Sequence, residues 1–262
     1  METKEHSMWD AATYLKFSDE RSRPFADLMS QVRTAEPEWI IDLGCGTGAL
    51  AKTLSERWPG ARVVGVDSSK EMLSQATPLA IPGRLEYEQA DIATWSTQRP
   101  LDLVVSNAAL QWVNDHDGVL TRLAKMLVPG GTLAVQMPDR SHTPSQVAVE
   151  DAVADPRWSS TLQNVGLHRK SVEPLAWYVH HLHDLGFKVN AWETTYYHIL
   201  TGENPVLEWL KGTALRPLLA CLRGEQTEEF LRVLGSRLKD AYPAREGITV
   251  FPMPRVFFVA TR

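Results

Sequence analysis

Three aspartates, an asparagine and a run of glycines are the residues whose types and spacing could do chemistry in this 262-residue chain. Asp42 closes the apolar run Trp39-Ile40-Ile41 and stands just before Gly44, Gly46 and Gly48. Glycines at alternate positions, between a strand and the helical pattern of 49–54, let the backbone turn sharply and admit a ligand that would otherwise meet a Cβ. Asp67 ends a second apolar run about twenty residues later, where an acid can bind both hydroxyls of a ribose. Ser68 or Ser69 then caps the next helix, and Met72 opens its apolar face, in reach of an adenine but more ordinarily a packing residue. Asp91-Ile92 follows a third run; a polar side chain there can bond an adenine amino group while Ile92 packs on the ring. Asn107 ends a fourth run, at the crevice where open α/β sheets bind ligands.

The glycines alone permit two ligands. Gly44, Gly46 and Ala49 satisfy the G-x-G-x-x-A fingerprint of dinucleotide binding. Asp42 tips the balance toward S-adenosylmethionine (SAM), because a carboxylate at that point accepts a hydrogen bond from a cationic amine and repels a pyrophosphate.

Those residues need a frame that brings strand ends together. Strand patterns at 39–43, 61–67, 85–90, 101–106, 132–137, 187–198 and 255–260 alternate, through the fifth, with helical ones at 47–57 and 117–127, which predicts an α/β, Rossmann-like, doubly wound sheet. A helix at 25–33 precedes it, a helix at 173–186 leads into the sixth strand, and Pro129-Gly130-Gly131 reads as a turn before the fifth. Helices expected at 205–223 and 226–242 interrupt the sheet and read as a cap. The expected organisation is an arm and helix at 1–37, a cofactor-binding core at 38–137, cap and substrate segments at 138–172 and 200–250, and the remaining core at 173–199 and 251–262. Trp112 is expected in the core, as large aromatics usually are.

A net charge of −5 argues against a non-specific binder of nucleic acid or anionic membrane. The two cysteines, Cys45 and Cys221, make no disulfide framework and no C-x-x-C, and Cys45 reads as a small buried filler. His180-His181-x-His183 has no acidic or thiol ligand patterned with it and reads as a surface helix, so no metal is expected. The first residues carry no apolar segment, and no run reaches the roughly 18 apolar residues of a membrane span. A cytoplasmic monomer is the expectation.

Asp42, the glycines, Asp67, Asp91-Ile92, Asn107 and Pro129-Gly130-Gly131 together resemble the class I, Rossmann-type SAM-dependent methyltransferases. A narrower resemblance spans nearly the whole chain: Tyr14-Leu15-Lys16-Phe17-Ser18, Glu20-Arg21-Ser22-Arg23-Pro24, Asp42-Leu43-Gly44-Cys45-Gly46, Leu110-Gln111-Trp112, Ala134-Val135-Gln136-Met137-Pro138-Asp139, Thr194-Thr195-Tyr196-Tyr197-His198 and Leu215-Arg216-Pro217 are similar to the trans-aconitate 2-methyltransferase family. The resemblance implies a seven-stranded, mostly parallel sheet whose last strand is antiparallel. It implies methyl transfer from SAM to a carboxylate of a tricarboxylate, giving a monomethyl ester and S-adenosylhomocysteine. Arg21, Arg23, Gln136, Tyr196, Tyr197, His198, Arg216 and Arg255 become the candidate substrate residues, placed by the resemblance or by standing near element ends. Another small acid, a carrier-bound acid or a carbon acceptor is open as the methyl acceptor, and a SAM-binding regulator without turnover is the remote alternative.

Overall fold

A computed structural model describes residues 18–162, 165 and 172–262, with side chains from residue 23 onward among them. Strands β1 (Trp39–Leu43), β2 (Arg62–Asp67), β3 (Leu85–Gln89), β4 (Leu101–Asn107), β5 (Leu127–Pro138), β6 (Lys188–Thr201) and β7 (Ile248–Thr261) form one sheet in the order β3-β2-β1-β4-β5-β7-β6. The first five pair in parallel, and β7 runs antiparallel to β5. The expected Rossmann-like sheet is therefore present, its order reversing between β1 and β4 where such sheets take their ligands. The helices are α1 (Ser18–Ser30), α2 (Ala49–Arg57), α3 (Lys70–Ala76), α4 (His116–Met126), α5 (Pro144–Val153), α6 (Ser159–Leu162), α7 (Leu175–Asp184), α8 (Pro205–Lys211), α9 (Arg216–Cys221) and α10 (Glu225–Ala241).

The chain divides into two compact units. One holds 21–139, the described part of 170–194 and 255–262. Its central strands are buried on both faces, which is why β1 and β4 read as near-continuous apolar runs instead of alternating ones. Ile41, Val104, Leu133 and Val135 meet Val119, Leu120 and Leu123 of α4 and Tyr178 and Leu182 of α7 in one core. The other unit holds 195–254 and the described residues of 1–20 and 140–169. It has its own core, in which α10 presents Phe230, Leu234 and Leu238 at helical spacing and Trp158 meets Phe230 edge-on at 5.5 Å.

Three sequence expectations needed correction. Pro129-Gly130-Gly131 does not reverse the chain but bulges inside β5: Leu101 pairs with Leu127 and Leu103 with Thr132. Gly130 takes φ +83°, its N–H donates to the carbonyl of Arg262 at 2.8 Å, and the N–H of Arg262 donates to Gly131 at 3.0 Å. The glycines let the bulge form, and the last residue of the chain satisfies it. The helix expected over 205–223 is two, because Pro217 has no N–H to continue the ladder and is accepted only in the first turn of α9. The cap and substrate segment at 138–172, where no helix was expected, contains α5 and α6 among its described residues. Thr143 caps α5 by accepting the N–H of Gln146 at 3.3 Å, a signal legible in Thr143-Pro144.

Candidate active site

Strand register decides which polar side chains share a face. Asp42 pairs with Gly65 of β2 and Val105 of β4, and Asn107 pairs with Gln136 of β5. Side chains two apart on a strand point the same way, so Asp42, Asp67, Asn107 and Gln136 all project from one face at the carboxyl edge. Arg255 joins them, being paired with Pro138, two residues beyond Gln136. Its Nη1 donates to Gln136 Oε1 at 3.1 Å, and both side chains are buried.

The glycine turn is held from both sides. Gly44 and Cys45 donate their N–H groups to the Val66 carbonyl at 2.7 and 3.0 Å. The Asp67 carboxylate accepts the Gly46 N–H at 2.9 Å and the Ser69 N–H at 2.8 Å, so it braces the turn while keeping lone pairs for a ligand. Ser69, not Ser68, caps α3 through Met72 N–H, and Met72 itself is buried. The exposed Ser68 contributes its carbonyl to Gln89 Nε2 at 3.2 Å. A Cβ on Gly46 would meet nothing within 4 Å, which leaves open space at the middle of the turn. On Gly44 it would lie 3.2 Å from Ile92 Cδ1, which places Ile92 beside the turn. Asp91 is exposed and folds its carboxylate back onto the Ala93 N–H at 2.9 Å.

Four positioning features had no signal in the motif reading. Tyr87 on β3 lies over Gly65, where a Cβ would come within 2.8 Å of the ring, and its hydroxyl donates to the Gly48 carbonyl at 3.2 Å. Arg122 of α4 donates to the carbonyls of Ile92 and Trp95, both at 2.9 Å, fixing the loop after β3. Ala108 takes φ +54° directly after Asn107, a conformation that costs a non-glycine residue about 1 kcal/mol. Its N–H donates to the Gln136 carbonyl at 2.9 Å, which offsets that strain. His116 Nε2–H donates to the Leu110 carbonyl at 2.8 Å, while Tyr178 accepts the Glu173 N–H at 3.0 Å and donates to His116 Nδ1 at 2.6 Å. Burial lowers the His116 pKa, in keeping with the neutral ring this relay requires. Replacing Tyr87 by phenylalanine removes one hydrogen bond, for which calorimetry with SAM is expected to read a several-fold weaker Kd and thermal unfolding a loss of about 1 kcal/mol. Unchanged SAM affinity would remove Tyr87 from the site.

Other expected residues separate. Trp112 is 46% exposed and so stands outside the core in which it was expected. On β6, Tyr196 and His198 are buried while Tyr197 is 68% exposed, since neighbours on a strand face opposite ways; the three cannot converge on one ligand. His198 stacks on Trp209 at 4.8 Å within its own unit, and Arg216 is half-buried at the start of α9. Arg23 is exposed on α1, and the Arg21 side chain lies outside the described residues. No cluster of potential metal ligands occurs among the described residues, and no helix there is long and apolar enough to cross a membrane.

Residues 40–131 match the family model described as a methyltransferase domain. Over 258 residues the chain is 45% identical to the trans-aconitate 2-methyltransferase of Streptomyces avermitilis, covering 96% of each chain. It is 46% identical over 255 residues to that of Mycolicibacterium gilvum, covering 97% of this chain and 98% of the relative. The chain belongs to the trans-aconitate 2-methyltransferase family. Two solved structures share the fold with this family member: the YcgJ protein of Bacillus subtilis (TM-score 0.61, 12% identity, 92% and 98% of the two chains covered) and a Haemonchus contortus phosphoethanolamine N-methyltransferase solved with S-adenosyl-L-methionine (TM-score 0.56, 18% identity, 92% and 52% covered).

The polar atoms left over in this trans-aconitate 2-methyltransferase family member fit SAM. Asp42 Oδ2, Asn107 Oδ1 and Gln136 Nε2, which share one sheet face, are buried and have no protein partner among the described residues, so a ligand there would complete them. Burial, then the charge of Asp67, pushes the Asp42 pKa from 3.8 to about 7, and the Ala51 N–H offsets only part of this. A dinucleotide pyrophosphate would add negative charge beside two carboxylates, whereas the ammonium and sulfonium of SAM relieve them. Burial and then the same two carboxylates raise the pKa of Cys45, which keeps the thiol protonated and excludes it as a nucleophile, as its reading as filler anticipated.

Proposed function

We propose that the chain transfers the methyl group of SAM to a carboxylate of trans-aconitate, releasing the monomethyl ester and S-adenosylhomocysteine. The observation that carries this reading is identity above 40% maintained across nearly the full length of both relatives, far beyond the methyltransferase domain at 40–131. SAM supplies an electrophilic methyl on a positively charged sulfur. The acceptor, a carboxylate with an ordinary pKa near 4, is ionised at neutral pH and needs no general base.

The protein's task is then alignment of carboxylate oxygen, methyl carbon and sulfur, a geometry whose prepayment can remove about 7 kcal/mol or more of barrier. Opposite charges cancel as the oxygen–carbon bond forms and the carbon–sulfur bond breaks. Strong hydrogen bonds to the attacking carboxylate would hold it back, so the anchors grip the other carboxylates. Arg255, aimed by Gln136 and on the same face as Asn107, suits that role, and Gln136 Nε2 adds a donor. Asp67 takes the ribose hydroxyls, Asp42 the ammonium, Gly44 and Gly46 the open turn, Asn107 the methionine end, and Ile92 with Asp91, Met72 and Ser68 the adenosine end. Arg21, Arg23, Tyr196, His198 and Arg216 are kept as substrate residues, each to be judged by a raised KM for the acid at constant SAM affinity. A cytoplasmic monomer acting on a small acid, independent of nucleic acid and membrane, accords with the net charge of −5.

Incubation with methyl-labelled SAM and a panel of tricarboxylates tests the reading. Base-labile labelled ester is expected from trans-aconitate; label reaching another acid but not aconitate would overturn the substrate and keep the reaction class.

A further inference from the structure

Gln111 is a half-buried amide with one end committed and the other open. Its Nε2 donates to the Ala108 carbonyl at 2.7 Å. A carbonyl only accepts, so the amide nitrogen is the end that faces Ala108, and Oε1 is left as a pure acceptor. That oxygen is buried and has no partner among the described residues. An acceptor enclosed in this way costs stability until something donates to it.

The turn that carries Gln111 is fixed at several points, all within the unit that holds 21–139. The Ala108 N–H donates to the Gln136 carbonyl, His116 holds the Leu110 carbonyl at 2.8 Å, and the Trp112 N–H donates to the Ala109 carbonyl at 3.1 Å. The Ala109 Cβ occupies the space that a Cβ on Gly44 would need, so this turn closes directly on the glycine turn. The span across an amide is about 2.3 Å, which keeps Oε1 within about 5 Å of the Ala108 oxygen. The open acceptor therefore stays beside the backbone that follows Asn107.

Chemistry and sheet order narrow what can meet it. A tricarboxylate ionised at neutral pH offers only acceptors, so the acid would be repelled. SAM offers donors at both ends: the adenine amine and ribose hydroxyls at one, the ammonium and the polarised C–H groups on the sulfonium at the other. Asp67 and Ile92 stand at the ends of β2 and β3, which lie across β1 from β4. A cofactor whose ribose meets Asp67 thus brings its methionine end toward the chain after β4.

Resting on the methyl donor assigned above, we infer that Gln111 is a cofactor-binding residue whose Oε1 receives the cationic methionine end of SAM. The Ala108 carbonyl sets the orientation of the amide, and His116 is a positioning residue for the turn. Asp42 already supplies a carboxylate for the ammonium, so a neutral amide adds direction without adding charge.

Calorimetry with three ligands tests the inference: SAM, S-adenosylhomocysteine, which lacks the sulfonium charge, and 5′-methylthioadenosine, which lacks the amino-acid group. Gln111→Met keeps the reach of the side chain and removes the acceptor. It is expected to weaken SAM about 10- to 100-fold, the range for losing a hydrogen bond to a charged group, and to leave the Kd of 5′-methylthioadenosine at its wild-type value. S-adenosylhomocysteine separates the two cations: a loss equal to that of SAM assigns the ammonium, and a smaller one the sulfonium. Gln111→Glu retains an acceptor while losing the donor to Ala108. It is expected to lower Tm yet bind SAM more tightly than Gln111→Met, an order that a purely structural amide would not produce. Equal losses for SAM and 5′-methylthioadenosine, or wild-type SAM affinity in Gln111→Met, overturn the role of Gln111 alone. A wild-type protein that binds none of the three ligands overturns the cofactor as well.

Discussion

Gly44→Ala is expected to destabilise the protein by about 2–4 kcal/mol and to abolish measurable SAM binding. The added Cβ would lie 2.1 Å from Ala109 Cβ and 3.5 Å from Ala109 Cα, a collision with a rigid neighbour and its backbone. Alanine would also have to hold φ +81°, which adds about 1 kcal/mol whatever the space. Moving Ala109 away would shift the chain directly after the strained Ala108 and disturb Asn107. Ala109→Gly in the same molecule removes the closest contact but not the dihedral cost, so the double variant is expected to recover part of the lost Tm. Thermal unfolding with and without SAM reads both. Wild-type Tm and SAM protection in Gly44→Ala would show that the turn has more room than these distances allow.

The second large effect is a pH dependence centred on Asp42. Its carboxyl titrates near pH 7 in the fold against 3.8 ordinarily, because burial and the neighbouring Asp67 disfavour the charge. A folded-state pKa above the unfolded one gives a contribution to stability that is complete below about pH 4 and lost as pH rises through 7. With a shift of about three units the loss is on the order of 4 kcal/mol. SAM reverses it, since the ammonium favours the ionised carboxylate and binding then expels a proton. Between pH 5 and 7 the SAM affinity is therefore expected to rise by up to tenfold per unit and to level off above 7. Asp42→Asn is expected to make the ligand-free protein more stable than wild type at pH 8 while weakening SAM binding and flattening its pH profile. Calorimetry in buffers of different ionisation heat measures the expelled proton; a profile flat from pH 5 to 8 in the wild type would sink the assignment.

Much of the candidate site was legible because its residues end buried parallel strands. Asp42, Asp67 and Asn107 each close an apolar run, and such runs stand out when both strand faces are covered. What stayed hidden depends on neighbours across the sheet. The bulge at Gly130 is set by the chain end at Arg262, and nothing local distinguishes it from a turn. The exposure of Trp112 follows from where a 3₁₀ turn leaves the sheet edge, not from the residue's own apolarity. Tyr197 was grouped with Tyr196 and His198 by the family resemblance of the run 194–198, although the two-residue period of a strand separates them.

Tyr87, resting on Gly65 and bonded to the Gly48 carbonyl, joins three separated stretches into one heritable unit. A side chain gained at position 65 removes the space for the ring, and a smaller residue at 87 empties the space that glycine leaves. Neither step is neutral alone. Positions 65 and 87 are therefore expected to drift together through the family's history, tracing in paired substitutions a constraint that the glycine motif, read by itself, does not record.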